Sequence, residues 1–135
     1  MNELFVYGTL RDAEYRRALF GSSPAARPAT LPDWTAVVAE NGYLTVVRAP
    51  GERVEGELLA LDDAALARAD AWEEVPVYER LRVDARDAAG AAVTAFVYVR
   101  PTASTERPAP GVLARHERAR VLAQIRALVL GAQEQ

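Results

Sequence analysis

The sequence contains no cysteine and no lysine, and these two absences exclude several kinds of catalytic chemistry. Without cysteine there is no thiol nucleophile, no disulfide and no thiolate ligand for a metal. Without lysine there is no amine for a Schiff base or for a phosphate-binding loop, and all 16 basic residues are arginines. The chain also has a single histidine, His116, which lies among charged residues typical of a solvated helix face. We therefore expect neither a metal nor a cofactor.

Charge and hydropathy exclude further classes of protein. The net charge is only −3 and the arginines are scattered, whereas a nucleic-acid-binding protein needs a concentrated basic face. No apolar run approaches the roughly 20 residues that span a membrane, and the first residues do not resemble a signal peptide. A chain of 135 residues is expected to form one domain, 1–135, with a cytoplasmic location.

The order of apolar runs and turn formers predicts an α+β protein. Short apolar or alternating runs predict strands, and Asp12 and Asp62 or Asp63 are candidate helix N-caps. Asn41-Gly42 predicts a hairpin, Ala49-Pro50-Gly51 predicts a turn between two strands, and the prolines of 22–32 predict a loop. The predicted strands are 4–7, 34–38, 43–47, 54–61, 77–83 and 91–99, and the predicted helices are 12–20, 62–74 and 112–130. So many strands joined by tight turns favour a small, mainly antiparallel β-barrel with flanking helices.

Glu73 is a candidate general acid/base because of its position on the second predicted helix. At 100° per residue it lies about 20° from Leu66, on the same stripe, whereas Glu74 lies about 80° away. An inward carboxyl is costly to bury, and burial raises a carboxyl pKa toward the range useful for proton transfer. The alternative is a glutamate at a fraying helix end that pairs with Arg80 or Arg82.

The segment Tyr7-Gly8-Thr9-Leu10 is a second candidate, because it joins a predicted strand to a predicted helix. Successive backbone N–H groups at such a junction can hold a carboxylate or a developing oxyanion. The alternative is an ordinary turn between a strand and a helix.

Four segments, in the same order, resemble the γ-glutamylcyclotransferase-like (AIG2-like) superfamily. Residues 5–11, Phe-Val-Tyr-Gly-Thr-Leu-Arg, resemble its Tyr-Gly-Thr-Leu signature. Residues 53–59 resemble its Val-x-Gly-x-Leu strand, and residues 69–80 resemble its Leu-Asp-x-Phe-Glu-Gly…Tyr-x-Arg segment. Residues 96–99 resemble its last strand, which carries a tyrosine. The resemblance covers about residues 3–100, and the helix predicted at 112–130 follows it.

The resemblance implies a small mixed β-barrel and a γ-glutamyl substrate of low molecular weight, which is cyclised to 5-oxoproline with release of an amine. It implies that Glu73 is the catalytic acid/base. The implied substrate-binding residues are Tyr7, Gly8, Thr9, Leu10, Arg11, Tyr43, Tyr78 and Tyr98.

Two features depart from the family pattern, and two other functions stay open. Glu74 replaces the family's glycine, and Asn41-Gly42-Tyr43 replaces a frequent Tyr-Pro. The same fold could serve as a non-catalytic binding or regulatory module, or as an amidase that uses the same carboxyl.

Overall fold

A computed structural model describes residues 1–22, 24–38, 44–72 and 78–100, together with Ile125 and Leu128. The described strands are β1 (Asn2–Val6), β2 (Ala26–Val38), β3 (Leu44–Leu61), β4 (Glu79–Asp87) and β5 (Ala92–Val99). The described helices are a 3₁₀ turn (Thr9–Arg11), α1 (Ala13–Phe20) and α2 (Asp63–Trp72).

The strands form a closed barrel in the order β1-β3-β2-β4-β5. Neighbouring strands are antiparallel except at the closure, where β1 runs parallel to β5 and Leu4 lies opposite Phe96. The prediction of a small mixed, mainly antiparallel barrel with flanking helices is confirmed. The parallel closure brings the ends of β1 and β5 to the same end of the barrel.

The second strand begins earlier than the sequence predicts, so the prediction of a loop over residues 22–32 is wrong. β2 starts at Ala26, and both Pro28 and Pro32 take their places in its ladder with β3. A proline removes one backbone donor but keeps its carbonyl. The rest of the ladder outweighs that loss.

The predicted turn at Ala49-Pro50-Gly51 does not separate two strands, because β3 is continuous through it. The pairing between β2 and β3 is interrupted between Pro32–Arg53 and Trp34–Arg48. One unpaired residue, Asp33, lies on β2, and four unpaired residues, 49–52, lie on β3. Asp33 and Gly51 have φ values of 67° and 84°, and the Asp33 carboxylate accepts a hydrogen bond from the Gly51 N–H at 3.0 Å. The turn formers therefore produce a bulge that bends two long strands.

The barrel has one hydrophobic core inside and a second one outside, against the helices. The inner core contains Phe5, Leu31, Trp34 and Val97, and the outer core contains alternate residues of the same strands, such as Leu4. Ile125, a helical residue, is fully buried in the outer core. The remainder of the predicted helix 112–130, Leu128 apart, lies outside the described residues.

Both helices begin at the predicted aspartates. The Asp12 carboxylate accepts hydrogen bonds from the N–H groups of Glu14 and Tyr15, and the Asp62 carboxylate accepts one from Ala65 at 2.7 Å. α2 buries Leu66 and Ala69, as its periodicity predicts. None of the helices described here is long and apolar enough to cross a membrane.

Candidate active site at one end of the barrel

Tyr7 directly follows β1 and lies against the inner core. Its ring stacks on Phe5 with a centroid distance of 6.5 Å. Its hydroxyl donates a short hydrogen bond to the backbone carbonyl of Tyr98, near the end of β5. The parallel closure of the barrel makes this contact possible, and it ties the two strand ends together.

A buried arginine, Arg16, binds the backbone of the turn that follows Tyr7. The Arg11 N–H donates to the Gly8 carbonyl at 3.0 Å. Arg16 is 6% exposed, and its guanidinium group donates to the carbonyls of Leu10 and Arg11 at 3.0 and 2.7 Å. No carboxylate among the described residues forms an ion pair with Arg16, and its Nε atom is buried without a hydrogen-bond partner. A buried positive charge therefore lies beside the turn.

On the outer side, the C-terminal end of α2 is fixed to the barrel by Asp70. One carboxylate oxygen accepts a hydrogen bond from the Tyr98 hydroxyl at 2.6 Å, and the other accepts one from Arg80 at 2.7 Å. Asp70 thereby connects α2 to β4 and β5. Because Glu73 follows Asp70 by three residues, the chain enters the segment that carries Glu73 from a fixed point.

The beginning of β3 also reaches this end of the barrel. A Cβ atom on Gly8 would lie 3.9 Å from the Cβ of Leu44. The fully buried Thr45 accepts a hydrogen bond from the Arg100 N–H at 2.8 Å, and the Arg100 guanidinium lies 5.8 Å from the ring centroid of Tyr78. Residues from four distant parts of the sequence therefore meet here.

The structure brings together several of the predicted substrate-binding residues, and it limits what some of them can contribute. Leu10 is 3% exposed and its side chain belongs to the outer core, so only its backbone is open to a ligand role. The Arg11 side chain pairs with Glu57 at 3.3 Å. The Tyr98 hydroxyl is already engaged by Asp70.

Three of the predicted site residues lie partly or wholly outside the residues that the structure describes. Glu73 and Tyr43 are outside the described residues, and so is the side chain of Thr9. Their roles stay predictions. Arg80 is bound to Asp70, so Asp70 would compete with Glu73 for Arg80 in the alternative that pairs these two residues.

Sequence reasoning missed Arg16, Asp70 and Thr45 as parts of this end of the barrel. Arg16 is followed by a second arginine in a helix with many polar residues, and nothing local distinguishes the buried one from the exposed one. Asp70 had a usable signal, since it lies one helical turn before Glu73. Across the described part of the chain, no group of three or more acidic, histidine or cysteine side chains could hold a metal ion.

Comparison with known proteins shows the family to which the chain belongs. The family model described as gamma-glutamyl cyclotransferase, AIG2-like, matches residues 4–118. The chain belongs to this family. No curated protein sequence matches the chain significantly.

Several solved structures share the fold, among them one titled gamma-glutamyl cyclotransferase and one titled AIG2-like. A structure titled gamma-glutamyl cyclotransferase has a TM-score of 0.71 at 18% identity, and the match covers 93% of this chain and 86% of that one. An AIG2-like protein from Mus musculus has a TM-score of 0.63 at 27% identity, covering 78% and 80%. A protein from Arabidopsis thaliana has a TM-score of 0.69 at 20% identity, covering 98% and 81%. These similarities show that the fold is shared.

Proposed function

We propose that the protein is an enzyme that cyclises a γ-glutamyl amine or γ-glutamyl peptide to 5-oxoproline and releases the free amine. Family membership carries this proposal. The geometry supports it, because the Tyr7–Arg11 turn and the end of α2 that leads to Glu73 are both tied to the end of β5.

The reaction needs one carboxyl group and no water. The substrate's α-amino nitrogen attacks its own γ-carbonyl carbon, which forms the C–N bond of a five-membered ring. Glu73, as a carboxylate, takes a proton from the α-ammonium group so that its nitrogen becomes nucleophilic. The former amide C–N bond then breaks as the same carboxyl returns its proton to the leaving nitrogen. The ring nitrogen loses its second proton through the regenerated carboxylate to the released amine, which departs as an ammonium ion. The substrate itself holds the two reacting atoms close together.

The turn would hold the glutamyl end of the substrate. Its backbone N–H groups are suited to the α-carboxylate or to the developing oxyanion on the γ-carbonyl. The buried charge of Arg16, which forms no ion pair among the described residues, adds a positive potential beside the turn that favours an anionic ligand. Asp70 acts as a positioning residue for the segment that carries Glu73.

The decisive experiment is product analysis on matched substrates. A panel of γ-glutamyl amines and γ-glutamyl amino acids is incubated with the protein, and 5-oxoproline and glutamate are measured by mass spectrometry. Each conjugate is also tested with its α-amino group acetylated. Cyclisation predicts 5-oxoproline from the free substrates and no reaction with the acetylated ones, because the nucleophile is blocked.

Other outcomes identify the alternatives. Release of glutamate, or equal rates on free and acetylated substrates, would refute cyclisation and favour an amidase. Saturable binding of the conjugates without any product would favour a binding module.

A further inference from the structure

A second candidate site lies where β2 and β4 separate, away from the Tyr7–Arg11 turn. The ladder between these strands has only two pairs, Ala29–Asp87 and Thr30–Arg86. Pro32 follows and has no N–H to donate, and Asp33 then has a φ of 67°. The strands part at this point, and a slit of about 490 Å³ opens between them. This volume is within the range typical of small-molecule sites.

The slit has an apolar wall and a charged rim. Trp34, Leu81 and Val83 belong to or pack against the inner core and supply the wall. The charged lining residues are Asp33, Arg48, Arg82, Asp84 and Arg86. Three guanidinium groups and two carboxylates leave the rim with one net positive charge, although the whole chain has a net charge of −3.

Arg48 and Arg82 are the two guanidinium groups available to a ligand. Arg48 lies 5.4 Å from the ring centroid of Trp34, and Arg82 lies 5.1 Å from that of Phe96. Neither forms an ion pair with a carboxylate of the described residues. The third arginine, Arg86, donates to the carbonyl of Gly90 at 3.3 Å.

Contact between a guanidinium group and an aromatic ring uses the face of the cation and leaves its N–H donors at the edge. These donors match the two oxygens of a carboxylate in a bidentate arrangement. The single net positive charge of the rim is neutralised by a singly charged anion. The apolar wall suits a hydrocarbon portion.

From these observations we propose that the slit between β2 and β4 binds a small monocarboxylate with an apolar or aromatic body, held by Arg48 and Arg82. The two arginines approach the ligand from strands on opposite sides of the slit. Trp34 contacts its apolar portion. The proposal does not depend on the cyclisation reaction, because none of its residues belongs to the proposed active site.

The test is a titration with phenylacetate, with neutral phenylacetamide and inorganic phosphate as matched probes. A Trp72→Phe background leaves Trp34 as the single tryptophan, so its fluorescence reports on the slit. Calorimetry on the unmodified protein measures the same binding without a label. We expect saturable binding of phenylacetate and at least tenfold weaker binding of the other two probes. Phenylacetamide loses the charged hydrogen bonds, and phosphate lacks the apolar body that contacts the wall.

The variants separate this site from others. Arg48→Gln and Arg82→Gln should each weaken phenylacetate binding about tenfold or more, and Arg82→Lys should weaken it less because the charge remains. Arg27→Gln, on β2 but outside the slit, is the control and should bind like the unmodified protein. Arg16→Met, which removes the positive charge beside the Tyr7–Arg11 turn, should also bind normally, since Arg16 does not line the slit.

The proposal is overturned by several results. In the first, phenylacetate fails to saturate the protein. In the second, phenylacetamide or phosphate binds as tightly as phenylacetate. In the third, Arg48→Gln and Arg82→Gln both bind phenylacetate like the unmodified protein. Loss of binding in Arg16→Met, with an unchanged melting temperature, would instead assign the ligand to the end of the barrel and would also overturn the proposal.

Discussion

Gly56 offers a sharp test of how the barrel is packed, because a single methyl group has no room there. A Cβ atom at this position would lie 2.4 Å from the carbonyl oxygen of Val6 and 2.6 Å from a ring carbon of Phe5. Real Cβ atoms essentially never come within 3.0 Å of such neighbours, so something must move by at least 0.6 Å, the difference between 3.0 and 2.4 Å. The nearest atom belongs to the backbone of β1, so a change of side-chain rotamer cannot relieve the clash.

Both neighbouring strands resist this movement. Gly56 lies opposite Ala29 of β2, and the next residue, Glu57, lies opposite Val6 of β1. We expect Gly56→Ala to lower the free energy of unfolding by about 3 kcal/mol, the upper part of the range for overpacked cores. At about 2.1 cal/mol/K per residue, 135 residues give an unfolding entropy of about 0.28 kcal/mol/K, so the melting temperature should fall by about 10 °C.

Differential scanning calorimetry on Gly56→Ala and Gly8→Ala measures the effect against a matched control. A Cβ on Gly8 would meet only Leu44, at an ordinary 3.9 Å, so this variant should melt within about 2 °C of the unmodified protein. Adding Phe5→Leu to Gly56→Ala should not restore stability, because the Val6 carbonyl stays in place. A Gly56→Ala protein that melts like the Gly8→Ala control would refute the reasoning.

The other predictions concern the candidate active site. Glu73→Gln should lower kcat for 5-oxoproline formation at least about 100-fold without changing the melting temperature, because Gln cannot accept the proton; normal activity here, with loss in Glu74→Gln, would move the role by one residue. Tyr98→Phe should lower the free energy of unfolding, measured in urea, by about 1 kcal/mol, because the hydrogen bond to the Asp70 carboxylate is lost while the ring packing stays. An unchanged urea midpoint would argue against that hydrogen bond. Arg16→Met should raise KM about tenfold through the lost positive charge beside the turn, with melting measured in parallel, and an unchanged KM would exclude Arg16 from substrate binding.

Local patterns in the sequence predicted most of the elements and the family. The N-caps at Asp12 and Asp62 depend on neighbours within three positions, so they can be seen without the fold. The Tyr7–Leu10 segment stands out for the same reason. Its residue types identify it before any distance is known.

The predictions of a loop at residues 22–32 and of a turn between strands at residues 49–51 were wrong, because the effect of a proline depends on the strand that pairs with it. A proline in an isolated segment predicts a loop, but a partner strand supplies pairing that no local signal contains. The tertiary structure decided that β2 extends back to Ala26 and that β3 continues past Gly51 as a bulge.

The sequence by itself determined the kinds of groups this protein can use and the local elements that carry them. The tertiary structure decided which of these groups meet. Arg80 and Tyr98 lie opposite each other in the ladder between β4 and β5, and the packing of α2 against the barrel places the Asp70 carboxylate within reach of both. The burial of Arg16 beneath the turn depends in the same way on the packing of α1. Such contacts require the relative position of strands and helices far apart in the chain, which residue spacing does not specify.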